Sequence, residues 1–355
     1  MKQIRNVSIA LAALFVGAPG VASAALIVAS TETFGLTSQI LSYQIAASGF
    51  YDLTVAGAQG GGIPPNIYYS ATPGLGAELN GRFYFNAGDV LSLAVGGAGL
   101  ESGTYSPGGG GGTFIVLDHS ADNSLHQAPI LIAGGGGGAG YSGDAYGQGG
   151  LTGVNGGSAP SSSTSRPGCN GGGGIAGSGG GAASSTGSCA YYFVPGNAAG
   201  GGGFLSDGQS GTSVSFPAAG LYWQGADGGN SFLNGLAGGV GAGGDLAAGA
   251  GGFGGGGAGG GRSNGGGGGG YSGGGGGYSG NAGGGGGSYF NSGAIFQSVL
   301  LSDRSGVRSG NGFIQIDRLI SDSAPVPEPT TWALMLTGFF GAGAALRRRR
   351  AFSAA

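Results

Sequence analysis

Lysine is nearly missing from this chain: Lys2 is the only one, and charged residues make up 8% of the 355. Ordinary chains carry roughly 25% charge, so the shortage is informative. Between residues 25 and 321 thirteen acids face six arginines, a net of about −7, and no basic groove for nucleic acid is available. The glycine runs hold a single arginine, Arg262, which excludes an arginine–glycine RNA-binding segment. Without a mature lysine a Walker A phosphate loop fails too. Histidine is confined to His119 and His126, near Asp118 and Asp122. These could ligate a metal or serve a nucleophile, but a polar loop between strands is the simpler account. No acid–base constellation stands out, so the expectation is a non-enzyme with no catalytic residue, metal site or cofactor.

Cysteine is scarce as well. Cys169 and Cys189 suffice for one disulfide closing a loop of about 20 residues, worth roughly 3 kcal/mol in the chain-entropy model. Two free thiols are the alternative, and the export signals described next favour the disulfide.

Both ends read as addresses. Lys2 and Arg5 precede a short apolar stretch, residues 9–16, and Ala22-Ser23-Ala24 supplies a small-residue cleavage pattern. Residues 1–24 are therefore expected to be a signal peptide cut after Ala24, since the stretch is too short to span a bilayer. At the other end Val326-Pro327-Glu328-Pro329 leads into an apolar run over residues 330–346, followed by Arg347, Arg348, Arg349 and Arg350. Four arginines after an apolar segment stop translocation and stay cytoplasmic. A plain tail anchor is one reading. The three parts in this order closely resemble the PEP-CTERM sorting signal, here spanning 322–355. That resemblance implies processing by an exosortase, a membrane-embedded cysteine protease that removes the tail of an exported Gram-negative protein. It implies a transient membrane anchor, then a place at the cell surface or in the extracellular matrix, with exopolysaccharide as the expected partner.

What the chain has in excess is glycine, 95 residues, alongside 40% hydrophobic and 9% aromatic residues, more than a flexible linker carries. Between residues 25 and 321 the apolar residues fall into short alternating segments. Tyr51, Leu53 and Val55 alternate with Asp52 and Thr54; Leu79, Phe83 and Phe85 share a face around Gly81; Leu91, Leu93 and Val95 alternate with Ser92 and Ala94. Runs at 114–117 and 130–132, and Ile314 with Ile316, continue the pattern. Period-two patterning between Gly, Asn and Asp turns predicts an all-β sandwich or barrel. Eight glycine runs lie between these segments, from 108–112 to 283–287. Collagen's every-third glycine is absent. Flexible loops are one reading of the runs. The other is a bundle of extended polyglycine helices that satisfy one another's backbone groups.

Ser48–Gly61, Ala87–Gly96, Gly110–Val116 and Pro129–Gly138 resemble the glycine-rich domain of the anaplastic lymphoma and leukocyte tyrosine kinase receptors and its bacterial relatives. The resemblance implies a tumour-necrosis-factor-like (TNF-like) β-sandwich with inserted polyglycine-II helices, flanked by the signal peptide and a C-terminal transmembrane sorting helix. With no kinase present, the receptors' cytokine binding does not carry over.

Glycine abundance also generates empty motifs. Gly261–Gly265 and Gly270–Gly274 fit the hydrolase elbow G-x-S-x-G, with Ser263 and Ser272, but lack its strand and helix. Gly238–Gly241 followed by Asp245 approaches a calcium β-roll repeat, yet the aspartate is displaced and the unit does not recur. Tyr271 and Tyr278 could stack on sugar rings, or brace a glycine bundle. The function expected is an exported structural protein of the surface or exopolysaccharide matrix. An extracellular glycan- or protein-binding module is the alternative, and the oligomeric state is not legible.

Overall fold

Apolar–polar alternation draws a chain into strands because each side of the pleat meets a different environment. The computed structural model describes residues 26–64, 71–101, 106–141, 145–161, 168–184, 189, 197–216, 221–223, 225–242, 248–261, 264–321, 337 and 339–340. The signal segment with Ala22 and Ala24, and the sorting residues Val326, Pro327, Glu328, Pro329 and Arg347 to Arg350, lie outside them. So does the expected transmembrane helix, apart from helical Thr337, Phe339 and Phe340. Among the described residues no helix is long and apolar enough to cross a membrane. The chain divides into two units, residues 28–319 on the one hand and residues 1–27 with 320–355 on the other.

Twelve strands form among the described residues: β1 (Leu26–Phe34), β2 (Leu41–Gln44), β3 (Gly49–Ala56), β4 (Gly76–Phe85), β5 (Val90–Ala94), β6 (Thr113–His119), β7 (His126–Ala133), β8 (Val214–Phe216), β9 (Leu221–Trp223), β10 (Tyr289–Phe290), β11 (Val299–Arg308) and β12 (Phe313–Ser321). Two five-stranded sheets result, ordered β1-β12-β3-β4-β11 and β10-β7-β6-β5-β2, with β8 and β9 as a separate hairpin. The registered pairs within the sheets are antiparallel. The fold is all-β.

One core lies between the sheets. Leu53, Val55, Phe83 and Ile316 of the first sheet cluster with Leu91, Leu117, Ile130 and Leu131 of the second. Burying a side chain of this size stabilises by roughly 1.5–3 kcal/mol. Gly81 is part of that packing: a Cβ there would come within 2.7 Å of the Phe290 ring and 2.9 Å of the Phe83 ring. The first sheet keeps its outer face polar. Arg82 donates from Nε and Nη2 to the two carboxylate oxygens of Asp52 at 2.7 and 2.8 Å, and Asn80 donates to Thr54 Oγ1 at 2.7 Å.

The second sheet is covered on both faces, which is why β6 and β7 read as apolar runs rather than alternations. Its outer residues Ala94, Phe114, Val116 and Ile132 pack under Phe204, Phe232 and Leu236 from the glycine-rich segments. Those segments all leave from one end of the sandwich. Registers place Ala56 opposite Glu78 and Phe313, Ala94 opposite Phe114, and Thr113 opposite Ala133. At that end Thr113 Oγ1 donates to the Ala56 carbonyl at 2.6 Å and Ala77 N donates to the Gly134 carbonyl at 2.9 Å, tying the sheets together.

Candidate functional site

The glycine segments beyond this end carry no strand ladder, yet their backbone groups are paired in a regular way. Along residues 265–270, successive N–H groups donate to Asn281, Pro107, Ala199, Gly284, Gly110 and Gly202. Positions three apart thus address the same neighbour: 265 and 268 the 281–284 segment, 266 and 269 the 107–110 segment, 267 and 270 the 199–202 segment. The same spacing recurs elsewhere. Gly135 and Gly138 donate to Gly269 and Gly266, and Gly283 and Gly286 donate to Gly138 and Gly135, at 2.8 to 2.9 Å. A backbone turning through three directions with period three has no internal hydrogen bonds and needs neighbours on every side.

Neighbours can stand that close only where side chains are missing. A Cβ on Gly109, Gly137, Gly201, Gly268 or Gly284 would fall 2.0 to 2.3 Å from a carbonyl oxygen of another segment. Real Cβ atoms essentially never come within 3.0 Å of such an atom. The array also recruits segments that the long-run reading left out. Gly60, Gly74, Gly97, Gln148 and Gly157 exchange backbone hydrogen bonds with it. Sporadic glycines in those stretches occupy the positions that face inward.

Two staples hold the array. The first is an aromatic column rising from the second sheet. Phe114 meets Phe232 at 5.7 Å between centroids, Phe232 stacks on Phe204 at 5.2 Å, Phe204 on Tyr271 at 6.1 Å, and Tyr271 on Tyr289 at 4.5 Å. Burial, then the neighbouring Tyr271, raises the Tyr289 phenol above its ordinary pKa. The second is the disulfide between Cys169 and Cys189, with Cα atoms 5.6 Å apart. It packs with Ala183 and Tyr278. The Tyr278 hydroxyl donates to the Cys189 carbonyl, and Asn170 Oδ1 accepts from Tyr278 N and from Asn281 Nδ2, each at 2.9 Å.

The sugar-stacking expectation therefore fails for Tyr278, which is 3% exposed with its hydroxyl engaged, so no ring face is open. Tyr271 is half-buried and spends its ring on the column. Both tyrosines brace the array. Ser272 of the elbow-like motif is buried within it and accepts the Gly177 N–H at 2.9 Å. Ser263 and Asp245 lie outside the described residues. His119 and His126 sit opposite each other at the base of the β6–β7 hairpin, at strand ends and not in the loop between them. The hairpin loop is instead ordered by Asp122. Its Oδ1 accepts from Ser120 Oγ at 2.6 Å and Ser124 N at 3.0 Å, and chiefly the Ser120 hydroxyl lowers its carboxyl to about 2.

Residues 325–350 match the family model of the PEP-CTERM protein-sorting motif. No curated protein matches the chain. The motif marks an exported protein sorted by an exosortase, with a C-terminus that is membrane-anchored in transit.

Proposed function

We propose that this chain is a non-enzymatic structural protein of the bacterial cell surface or exopolysaccharide matrix, a stiff and weakly charged spacer released by exosortase cleavage near Pro327 to Pro329. In this reading residues 25–321 form a TNF-like sandwich bearing a polyglycine-II bundle. The period-three pairing along 265–270, where each N–H in turn addresses one of three surrounding segments, is the observation that carries it. Isolated extended glycine would be a flexible tether. A bundle closed by its own backbone hydrogen bonds is stiff without charge, helix or large apolar core. The disulfide and the aromatic column support the same role, since both resist opening of the array. Ser272 is locked inside the array, and the histidine pair lies at the opposite end of the sandwich, which favours a non-catalytic reading.

The test is the intact mass of the protein recovered separately from the envelope and from the extracellular polysaccharide. A chain running from Ala25 to near Pro327–Pro329 in the matrix is the expected result. A chain that keeps Trp332 to Arg350 and stays in the membrane would overturn the processing, leaving a tail-anchored surface protein.

A further inference from the structure

A groove of about 800 Å³ opens where the glycine array meets the edge of the first sheet, and the array's packing does not need it. Its walls come from five distant stretches: Gln59 after β3, the chain entering β4, Glu101, residues 147–151 and the second half of β11. An irregularity in β11 makes room for it. The register with β4 slips between Arg304 and Arg308, and Gly306 takes φ +58°, which favours glycine. Gly306 then donates to the Gly150 carbonyl at 3.1 Å, pinning the bulge to the array.

Two glutamines in the lining are held in one orientation by backbone donors. Gln59 Oε1 accepts from Gly310 N at 2.8 Å, and Gln148 Oε1 accepts from Gly285 N at 3.1 Å. Each carbonyl is occupied, so each amide nitrogen remains as a fixed donor. Glu101 and Thr72 are both exposed, which places a carboxylate and a hydroxyl as two acceptors at the rim. Leu75 and Leu151 give an apolar strip, and Tyr146, next to the Gly147 wall, is 53% exposed. Among the described residues, Glu101 is the one charged group in the lining. A phosphate, sulfate or uronate would meet a negative charge and find no counter-charge.

Anchored amide donors, an exposed carboxylate, hydroxyls and a narrow apolar strip match a ligand rich in hydroxyls and free of charge. An open groove of this size accepts a few units of a linear polymer. We propose that the groove binds an uncharged linear oligosaccharide, its hydroxyls accepting from Gln59 and Gln148 and donating to Glu101 and Thr72. This goes beyond a spacer role, which requires no ligand site.

The test is titration of the full chain, held in a detergent without a sugar headgroup, with neutral tetramers of β-linked glucose, mannose and N-acetylglucosamine, and with tetragalacturonate. Binding is read by calorimetry and by amide shifts. One neutral tetramer is expected to bind with a Kd of about 0.1 mM, shifting Gln148, Ser305 and Gly306. Glu101→Gln and Thr72→Val, both at exposed positions, should each weaken it about tenfold with the fold unchanged. Gln148→Ala should do the same, but it also loses the bond to Gly285, so the exposed pair decides. Absence of binding at 10 mM, equal affinity for tetragalacturonate, or affinity unmoved by Glu101→Gln and Thr72→Val would each overturn the assignment. A failure here leaves the structural reading untouched, because that reading is judged by where the processed chain is found.

Discussion

Replacing Gly268 by alanine adds one methyl group at the most crowded kind of position in the molecule. The new Cβ would lie 2.3 Å from the Gly135 carbonyl oxygen, where contacts below 3.0 Å are not found, so the segments must part by at least 0.7 Å. Gly268 sits among four glycine segments. It donates to Gly284 at 2.9 Å and accepts from Gly274 at 2.8 Å, while neighbouring Gly269 accepts from Gly135 at 2.8 Å. A shift of that size strains or breaks one or two of these bonds, each worth about 1 kcal/mol. Overpacking adds roughly 1–3 kcal/mol, and the stiffer unfolded chain returns about 0.4–1 kcal/mol. The net loss is about 2–4 kcal/mol, a large share of a typical stability of roughly 5–15 kcal/mol. Gly172→Ala supplies the contrast, because nothing lies within 4 Å of its Cβ direction, and it should be neutral or slightly stabilising. Urea unfolding followed by near-ultraviolet circular dichroism measures both. Equal stability of the two variants would refute the close-packed array and return the glycine segments to flexible loops.

Replacing Cys169 and Cys189 together by serine should cost about 3 kcal/mol, seen as an equal loss when the wild type is unfolded in reductant. Tyr278→Phe keeps the ring and removes the donor to the Cys189 carbonyl, leaving that buried acceptor unmet, so a loss of about 1–3 kcal/mol is expected in the same assay. Phe232→Ala, which cuts the aromatic column between Phe114 and Phe204, should cost about 3–5 kcal/mol and quench the tertiary signal of Tyr271 and Tyr289. Asp122 titrates near 2 in the fold against 3.8 ordinarily, so the ionised form is the one the fold prefers. Its contribution is full above about pH 4 and fades as pH falls through 2. Asp122→Asn should therefore abolish the acid transition of the Ser124 amide in a nuclear magnetic resonance titration.

The sandwich was legible because alternation reports one-sided burial, as in β3, where Tyr51, Leu53 and Val55 are buried and Asp52 and Thr54 are not. β6 and β7 were legible as strands, while the cover over their second face was not, since a run of apolar residues does not say what lies above it. β11 escaped notice. Ser302-Asp303-Arg304-Ser305 reads as a loop, and pairing with β4 alone makes it a strand at the sheet edge. Phe204, Phe232 and Tyr271 each stand alone in glycine-rich sequence, and only the folded chain stacks them. The short glycine segments, such as 147–150, were hidden because membership in the array depends on inward-facing positions and not on run length. No local pattern could announce the groove, whose walls come from five parts of the chain.

The period-three pairing has one more consequence, for enzymes that attack proteins from outside. Extracellular proteases draw a substrate into an extended stretch, read its side chains in pockets and bond to its free backbone groups. Along residues 265–270 there is no side chain to read, and every N–H is already committed to another segment. Cleavage there must wait for the array to open, so glycine, the residue least able to order itself, becomes a source of durability.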